Sequence, residues 1–243
     1  MTTPIYAIGD IHGQLEMLET ALERIEADGG PNTRIVFLGD YTDRGPDSRG
    51  VIELLSQGQA EGRNWVMLSG NHDRMFSMFM EDHPRNDSQL LVGYHWLHPR
   101  IGGIQTLESY GVEVAEGDRI YRVHERAREK VPQKHIHFID GLRHHYQEGE
   151  LLFVHAGIRP GLDLADQSED DKLWIRQEFL NSSEIHPWLV VHGHTPVDHP
   201  EHHGNRINID TRAGYGEPLT AAVFEGRNAW VLGEKGRVAL LPG

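Results

Sequence analysis

Three short apolar runs near the N-terminus each end in glycine and polar residues, and each is followed by apolar positions at helical spacing. Ile5-Tyr6-Ala7-Ile8 breaks at Gly9-Asp10-Ile11-His12-Gly13. Leu15, Leu18, Leu22 and Ile25 then share one face, with Glu16, Glu19 and Glu23 off it. Asp28-Gly29-Gly30-Pro31-Asn32 stops that helix. Ile35-Val36-Phe37-Leu38 breaks at Gly39-Asp40-Tyr41-Thr42-Asp43-Arg44-Gly45, and Asp47 or Ser48 can cap a helix carrying Val51, Ile52, Leu54 and Leu55. Trp65-Val66-Met67-Leu68 breaks at Ser69-Gly70-Asn71-His72-Asp73, and Arg74-Met75-Phe76 opens a third helical pattern. Strand and helix alternating three times predict parallel βαβ units with right-handed crossovers, which bring the three polar turns to one edge of a sheet. That edge is where open α/β sheets place their chemistry.

The pattern then changes twice. Residues 80–133 read as a helical insertion: a polar loop over Glu81–Ser88, helical pieces over Leu90–Trp96 and Ile104–Tyr110, and a charged helix over Tyr121–Lys130 ended by Pro132. Such an insertion could wall one side of a cleft. From Gly141 the segments are short and β-like. A hairpin is predicted from Leu142–Tyr146 to Leu151–Val154 across Gln147-Glu148-Gly149-Glu150, followed by His155-Ala156-Gly157. Leu162–Asp171 reads as an acidic loop, and Leu173-Trp174-Ile175-Arg176 as the start of a short helix. Trp188–Val191 predicts a strand ending in His192-Gly193-His194-Thr195-Pro196, with further strands over Ile207–Ile209, Leu219–Phe224, Ala229–Leu232 and Val238–Leu241. Alternating α/β followed by mostly β predicts one domain over residues 1–243, a β-sandwich flanked by helices.

Composition narrows the chemistry. A formal net charge of −14 argues against general nucleic-acid binding, since such a surface repels phosphate backbones. A small anionic substrate remains compatible if cations gather at one site. The chain has no cysteine, so a metal must bind through His, Asp, Glu or Asn, which favours manganese, iron or zinc. The N-terminal run is short and ends in Asp10, which predicts no signal peptide, no membrane span and a cytoplasmic location.

Five predicted strand ends carry metal-ligand types beside glycine: Asp10 with His12, Asp40, Asn71, His155 and His194. A charged or imidazole group at a tight strand exit needs a partner, and five such exits are better explained by a preorganised metal centre than by separate helix caps. The mixture of carboxylate, imidazole and amide fits two divalent ions sharing one carboxylate. Ions about 3.5–4 Å apart can hold a hydroxide and clamp a phosphoryl oxygen.

The three N-terminal blocks, Gly9-Asp10-Ile11-His12-Gly13, Gly39-Asp40-Tyr41-Thr42-Asp43-Arg44-Gly45 and Gly70-Asn71-His72-Asp73, are separated by 25 and 24 residues. With Val154-His155-Ala156-Gly157 and Gly193-His194-Thr195-Pro196, they resemble the signature blocks of the phosphoprotein phosphatases, within the calcineurin-like metallophosphoesterases. The resemblance runs from about Tyr6 to Phe224 and is nearest to the bacterial and phage-type serine/threonine phosphatases. It implies that Asp10 and His12 bind a first metal, that Asp40 bridges, and that Asn71, His155 and His194 complete the second, with Asn71 also beside the substrate. It implies His72 as general acid held by Asp43, with Arg44 and Arg176 gripping phosphate. Histidine titrates near neutrality, and arginine presents paired donors to an oxyanion, so these roles suit the side chains. The implied reaction is hydrolysis of a phosphomonoester, on a phosphorylated protein or a small ester. The rival within the superfamily is a phosphoanhydride hydrolase acting on dinucleoside polyphosphates. A non-catalytic module on this fold would be expected to lack a ligand or the His–Asp pair, and all are present.

Some positions stay ambiguous. His192 lies two residues before His194, and strand alternation does not choose between them; the match to the Gly-His-Thr-Pro block favours His194. Where the family often has Asp-Thr-Gly, the chain has Asp210-Thr211-Arg212, and Arg212 is expected on the surface. Tyr215 fits a cleft residue or a loop aromatic equally. His199, His202 and His203 are expected in a solvated loop, and His144-His145 at an exposed strand edge.

Overall fold

The computed structural model describes residues 3–243. The three N-terminal runs form β1 (Ile5–Ile8), β2 (Arg34–Phe37) and β3 (Trp65–Met67), paired in parallel. The intervening helices are α1 (Leu15–Gly29) and α2 (Ser48–Ala60), and α3 (Asn71–Met80) leaves β3. Asp47 rather than Ser48 caps α2, its Oδ1 accepting from Gly50 N at 2.7 Å. The C-terminal strands β9 (Ala221–Glu225), β10 (Asn228–Gly233) and β11 (Gly236–Ala239) join the same sheet, because β9 pairs antiparallel with β1 (Ile5 opposite Phe224, Ile8 opposite Ala221).

The second sheet has the order β4-β5-β6-β8-β7, from β4 (His145–Glu148), β5 (Leu151–Val154), β6 (Leu189–His192), β7 (Glu201–His202) and β8 (Arg206–Asn208). Strands β5, β6 and β8 are parallel. The two sheets face each other across Ala7, Val36, Leu38 and Phe224 from one side and Phe153, Val191 and Ile207 from the other. These strands are buried on both faces, which is why their sequences are continuous apolar runs and not alternations. Helices α1 to α3, with α4 (Gly103–Ser109), α5 (Ile120–Lys130) and α6 (Gln133–Asp140), cover the outer face of the first sheet. Helices α7 (Glu169–Trp174) and α8 (Gln177–Leu180) cover the second around Phe179. Among the described residues no helix is long and apolar enough to cross a membrane.

Several sequence expectations are corrected. Leu90–Trp96 is a series of turns and not a helix; Gly93 sits at φ +87°, which breaks any helical ladder there. Helix α6 was not expected: Pro132 closes α5 but also stands at the N-cap of the next helix. Helix α7 begins inside the predicted acidic loop and ends at Trp174, short of Arg176. Ser168 Oγ accepts from Asp171 N at 3.0 Å, and the acidic first turn suits a helix N-terminus. The hairpin turns at Gly149-Glu150 alone, since β4 runs to Glu148. Leu142 lies outside it, and the neighbouring Arg143 bridges to Leu68. His202 is not in a solvated loop: it is buried in β7, opposite Ile207.

Candidate metal centre

The parallel strands of both sheets end at the same place. Asp10 and His12 follow β1, Asp40, Asp43 and Arg44 follow β2, and Asn71 and His72 form the first turn of α3. His155 and His194 leave β5 and β6. Asp10, His12, Asp40, Asn71, His72, His155 and His194 are all buried. Five of the expected site residues have left-handed backbone: His12 (φ 46°), Asp40 (54°), Asp43 (73°), Arg44 (68°) and His194 (64°). Such conformations cost on the order of 1–3 kcal/mol each and persist where the surroundings impose them. Two glycines make the packing possible. A Cβ on Gly70 would lie 2.0 Å from Asp40 Oδ1, and one on Gly193 would lie 2.0 Å from Asp10 Oδ1.

The histidines are oriented through their far nitrogens. His12 Nδ1 lies 2.7 Å from Thr42 O, and His155 Nδ1 lies 2.9 Å from Leu38 O. A carbonyl only accepts, so both Nδ1 atoms carry the proton and both Nε2 atoms present lone pairs. His155 Nε2 then faces two further acceptors, Asn71 Oδ1 at 3.0 Å and Asp40 Oδ1 at 3.5 Å. His12 Nε2 faces Asp40 Oδ2 at 3.5 Å. Asn71 Oδ1 is also 2.8 Å from His194 Nδ1. Lone pairs converging on lone pairs fit divalent cations, so the donor set suits such ions. Two groups have ligand atoms within 4.8 Å of one another, His12–Asp40–His72 and Asp10–Asp40–His155. Asp40 is common to both groups.

Electrostatics agree. Burial, with Asp210 and Asp40 close by, pushes the Asp10 carboxyl well above the usual range. Burial opposes ionisation of Asp40, but His155, His72, His12 and His194, where protonated, outweigh it and hold its carboxyl below the ordinary value. Burial lowers His12, His155 and His194, so their rings are neutral at pH 7, the form that binds a metal.

A second constellation adjoins this one. His72 Nδ1 donates to Asp43 Oδ2 at 2.6 Å, and His72 Nε2 accepts from Arg44 Nη2 at 3.0 Å. Arg44 Nη1 reaches His12 Nε2 at 2.7 Å. Asp43 is held from the opposite side by Trp96 Nε1 (2.9 Å) and Thr106 Oγ1 (2.8 Å). The region predicted as a cleft wall therefore also positions the His72 partner. Arg176 is exposed, bonds Thr195 Oγ1 at 3.2 Å and lies in the field of Asp40, Asp10 and Asp210.

The structure separates His192 from His194. His192 is fully buried away from the centre, with its ring against Phe179 and Nε2 3.3 Å from Arg206 Nη1. The turn at Gly193 and the left-handed His194 swing only the latter inward. Arg212 pairs at the surface with Asp198 at 3.0 Å. Tyr215 does reach the cleft rim, its ring 5.0 Å from the Arg44 guanidinium carbon.

Two residues were missed in the sequence. Asp210 is buried beside the centre and pushed up to about 6 by burial. It follows the Ile207–Ile209 run, so the rule that exposed the other strand exits applies to it as well. Asp73 accepts from Asp40 N (2.8 Å), Tyr41 N (2.9 Å) and Gly70 N (2.9 Å), tying the second and third blocks together. Its signal was its place three residues after the N-cap Gly70.

Residues 3–219 match the family model described as calcineurin-like phosphoesterase. The chain belongs to that family. It is 28% identical over 242 residues to bis(5'-nucleosyl)-tetraphosphatase PrpE [asymmetrical] of Oceanobacillus iheyensis, covering 89% of this chain and 87% of that protein. Among solved structures, one described as a candidate diadenosine tetraphosphatase superposes with a TM-score of 0.65 at 22% identity, covering 100% of this chain and 96% of the other. A protein serine/threonine phosphatase from Saccharomyces cerevisiae gives 0.52 at 14% identity, over 98% and 76%. The chain is thus a metal-dependent phosphoester hydrolase by family, and the two structural likenesses speak to its fold alone.

Proposed function

We propose that this phosphoesterase hydrolyses a phosphoanhydride bond of a bis(5'-nucleosyl) polyphosphate, with two divalent ions held by Asp10, His12, Asp40, Asn71, His155 and His194. The observation that supports this reading is the set of facing acceptors around Asp40, an arrangement suited to divalent cations. When bound, such ions supply Lewis acidity to a phosphoryl oxygen and to an attacking water. Manganese is the expected ion for these nitrogen and oxygen donors, and iron or zinc also suits them. The remaining work falls to side chains. Arg44, next to both His12 and His72, offers a guanidinium fork to the phosphoryl oxygens, and Arg176 adds a second cation from another segment. His72, held through Nδ1 by Asp43, presents Nε2 to the leaving oxygen. The nucleotide reading rests on the relatives' names and on Tyr215, an aromatic face 63% exposed beside Arg44 and suited to stacking a base.

A second reading, hydrolysis of phosphoserine or phosphothreonine esters, is favoured by the His72–Asp43 pair itself. An alkoxide leaving group needs a proton, whereas a nucleotide leaving through its phosphate hardly does. The deciding assay gives the manganese-loaded protein diadenosine tetraphosphate and a phosphoseryl peptide side by side. At least tenfold higher kcat/KM on the dinucleotide is expected, and the reverse ranking would install the second reading. Arg44→Ala should weaken inhibition by inorganic phosphate and lower kcat/KM by about 10²-fold. Neither changing would remove Arg44 from the substrate.

A further inference from the structure

On the outer side of the second sheet lies a cavity of 470 Å³, walled in part by Leu180, Ile185, His186, His203, Arg206 and Arg227. Among the described residues no aspartate or glutamate lines it, although the chain carries 37 acidic residues against 23 basic ones. A larger cavity of 620 Å³ near α5 and α6 shows the ordinary case: Glu81, Asp82 and Asp140 stand beside Arg85 and Arg128.

Arg206 is only 6% exposed. Its Nη2 donates to Leu180 O at 2.9 Å, and its Nη1 lies 3.3 Å from His192 Nε2. The Phe179 ring packs 5.9 Å from its guanidinium carbon. None of these hydrogen-bond partners is a carboxylate; Glu201 acts on Arg206 only through its charge, without a hydrogen bond, and among the described residues Arg206 Nε has no partner. His186, 5% exposed, likewise has an unpartnered Nε2. Two wall residues are already paired with carboxylates, His203 with Glu201 at 2.8 Å and Arg227 with Glu150 at 3.2 Å, whereas Glu184 accepts from Gly161 N at 3.2 Å. A buried guanidinium without a counter-ion is unfavourable unless an anion reaches it.

We propose that this cavity is an oxyanion-binding site, separate from the metal centre, that takes phosphate, either free or carried on a small molecule. Arg206 anchors the anion by its charge and its remaining N–H groups, and Arg227 and His186 supply further donors. Leu180 and Ile185, the latter 86% exposed, give an apolar side to whatever the phosphate carries. The wall comes from the segment before β6, the start of β8 and the β9–β10 turn, whereas the metal ligands leave the opposite ends of β5 and β6. The proposal does not depend on the substrate proposed above.

The test uses the full-length chain loaded with zinc, which is diamagnetic. Inorganic phosphate and adenosine monophosphate are titrated separately while amide and imidazole NMR signals are followed. Saturable shifts at Asn205, Arg206 and the His186 ring are expected, and they should persist in Arg44→Ala. Arg206→Gln should weaken this binding at least tenfold. Arg227→Gln, a change at an exposed position, should weaken it several-fold and needs no change in the core. Tighter binding of the nucleotide by tenfold or more assigns the site to nucleotides, and equal binding assigns it to free phosphate. Shifts confined to the surroundings of Arg44 and His72, or no shift at Asn205 and Arg206 at millimolar phosphate, would overturn the proposal.

Discussion

Asp87 and Asp40 are both buried carboxylates near α3, and their surroundings are opposite. Asp87 accepts from Arg74 Nε at 2.8 Å, Trp174 Nε1 at 3.2 Å and Gln89 N at 2.9 Å. Arg74 continues to Asp170 at 2.7 Å and Glu169 at 3.3 Å, so charges of both signs meet and the segment before α4 is fastened to α7. Around Asp40 the neighbours are Asp10, Asp210 and imidazoles with lone pairs turned inward. A polar cluster satisfied within the chain serves architecture. One left unsatisfied in a fixed geometry is reserved for a ligand that arrives later.

The largest expected effect comes from relieving the unsatisfied side. Asp10→Asn should abolish metal binding and activity, yet raise the Tm of the metal-free protein at pH 7. The sign follows from the raised Asp10 carboxyl. A group whose folded pKa exceeds its unfolded value of about 3.9 takes stability away as pH rises through that window. The gain should therefore vanish below about pH 4. Calorimetry of chelator-treated wild type and variant checks this. In the wild type, manganese at 100 times its Kd should add about 2.7 kcal/mol. If the variant is no more stable than the metal-free wild type, the repulsion drawn here is absent.

His72→Asn comes next, with an expected loss of about 10²–10⁴ in turnover on esters with poor leaving groups. The loss should shrink for p-nitrophenyl phosphate, and metal content should stay the same. Equal losses on both substrates would argue against proton donation. On the satisfied side, Asp87→Ala should cost about 1–3 kcal/mol of stability, since Trp174 Nε1 and Gln89 N lose their acceptor while Arg74 keeps Asp170 and Glu169, and kcat on the same substrate changes little. A large fall in kcat with unchanged stability would erase the contrast. The smallest effect is expected for Trp96→Phe, which removes one of the donors to Asp43. It should lower kcat several-fold and move the acid–base limb of the pH–rate profile, with Tm lowered by a few degrees because the smaller ring leaves space against Phe76 and Phe79.

The centre was more legible in the sequence than the scaffold around it. Asp10, His12, Asp40, Asn71, His155 and His194 stand at abrupt apolar-to-polar boundaries, because a strand buried on both faces must change character where it meets a polar site. Asp210 stands at such a boundary too and was passed over beside the unusual Arg212. Trp96 and Thr106 could not be read as partners of Asp43, since their link crosses more than fifty residues and Trp96 lies in turns that look helical by composition. Helix α6 was hidden because proline marks both helix ends and helix starts. His192 and His194 could not be separated by alternation, because the strand stops between them.

The proposed ligands run from Asp10 to His194, and β1, which aims Asp10, is flanked by β2 on one side and β9 on the other. No contiguous half of the chain holds a complete set. Pairing of Ile5 with Phe224 closes a loop spanning most of the sequence, the kind of contact that forms late. A ribosome-bound chain would have Asp10, His12 and Asp40 in the open long before His155 and His194 exist to complete the pocket. On the proposed ligand set, complete cation capture awaits the finished topology, and an ion bound by all six residues would report that both sheets have docked.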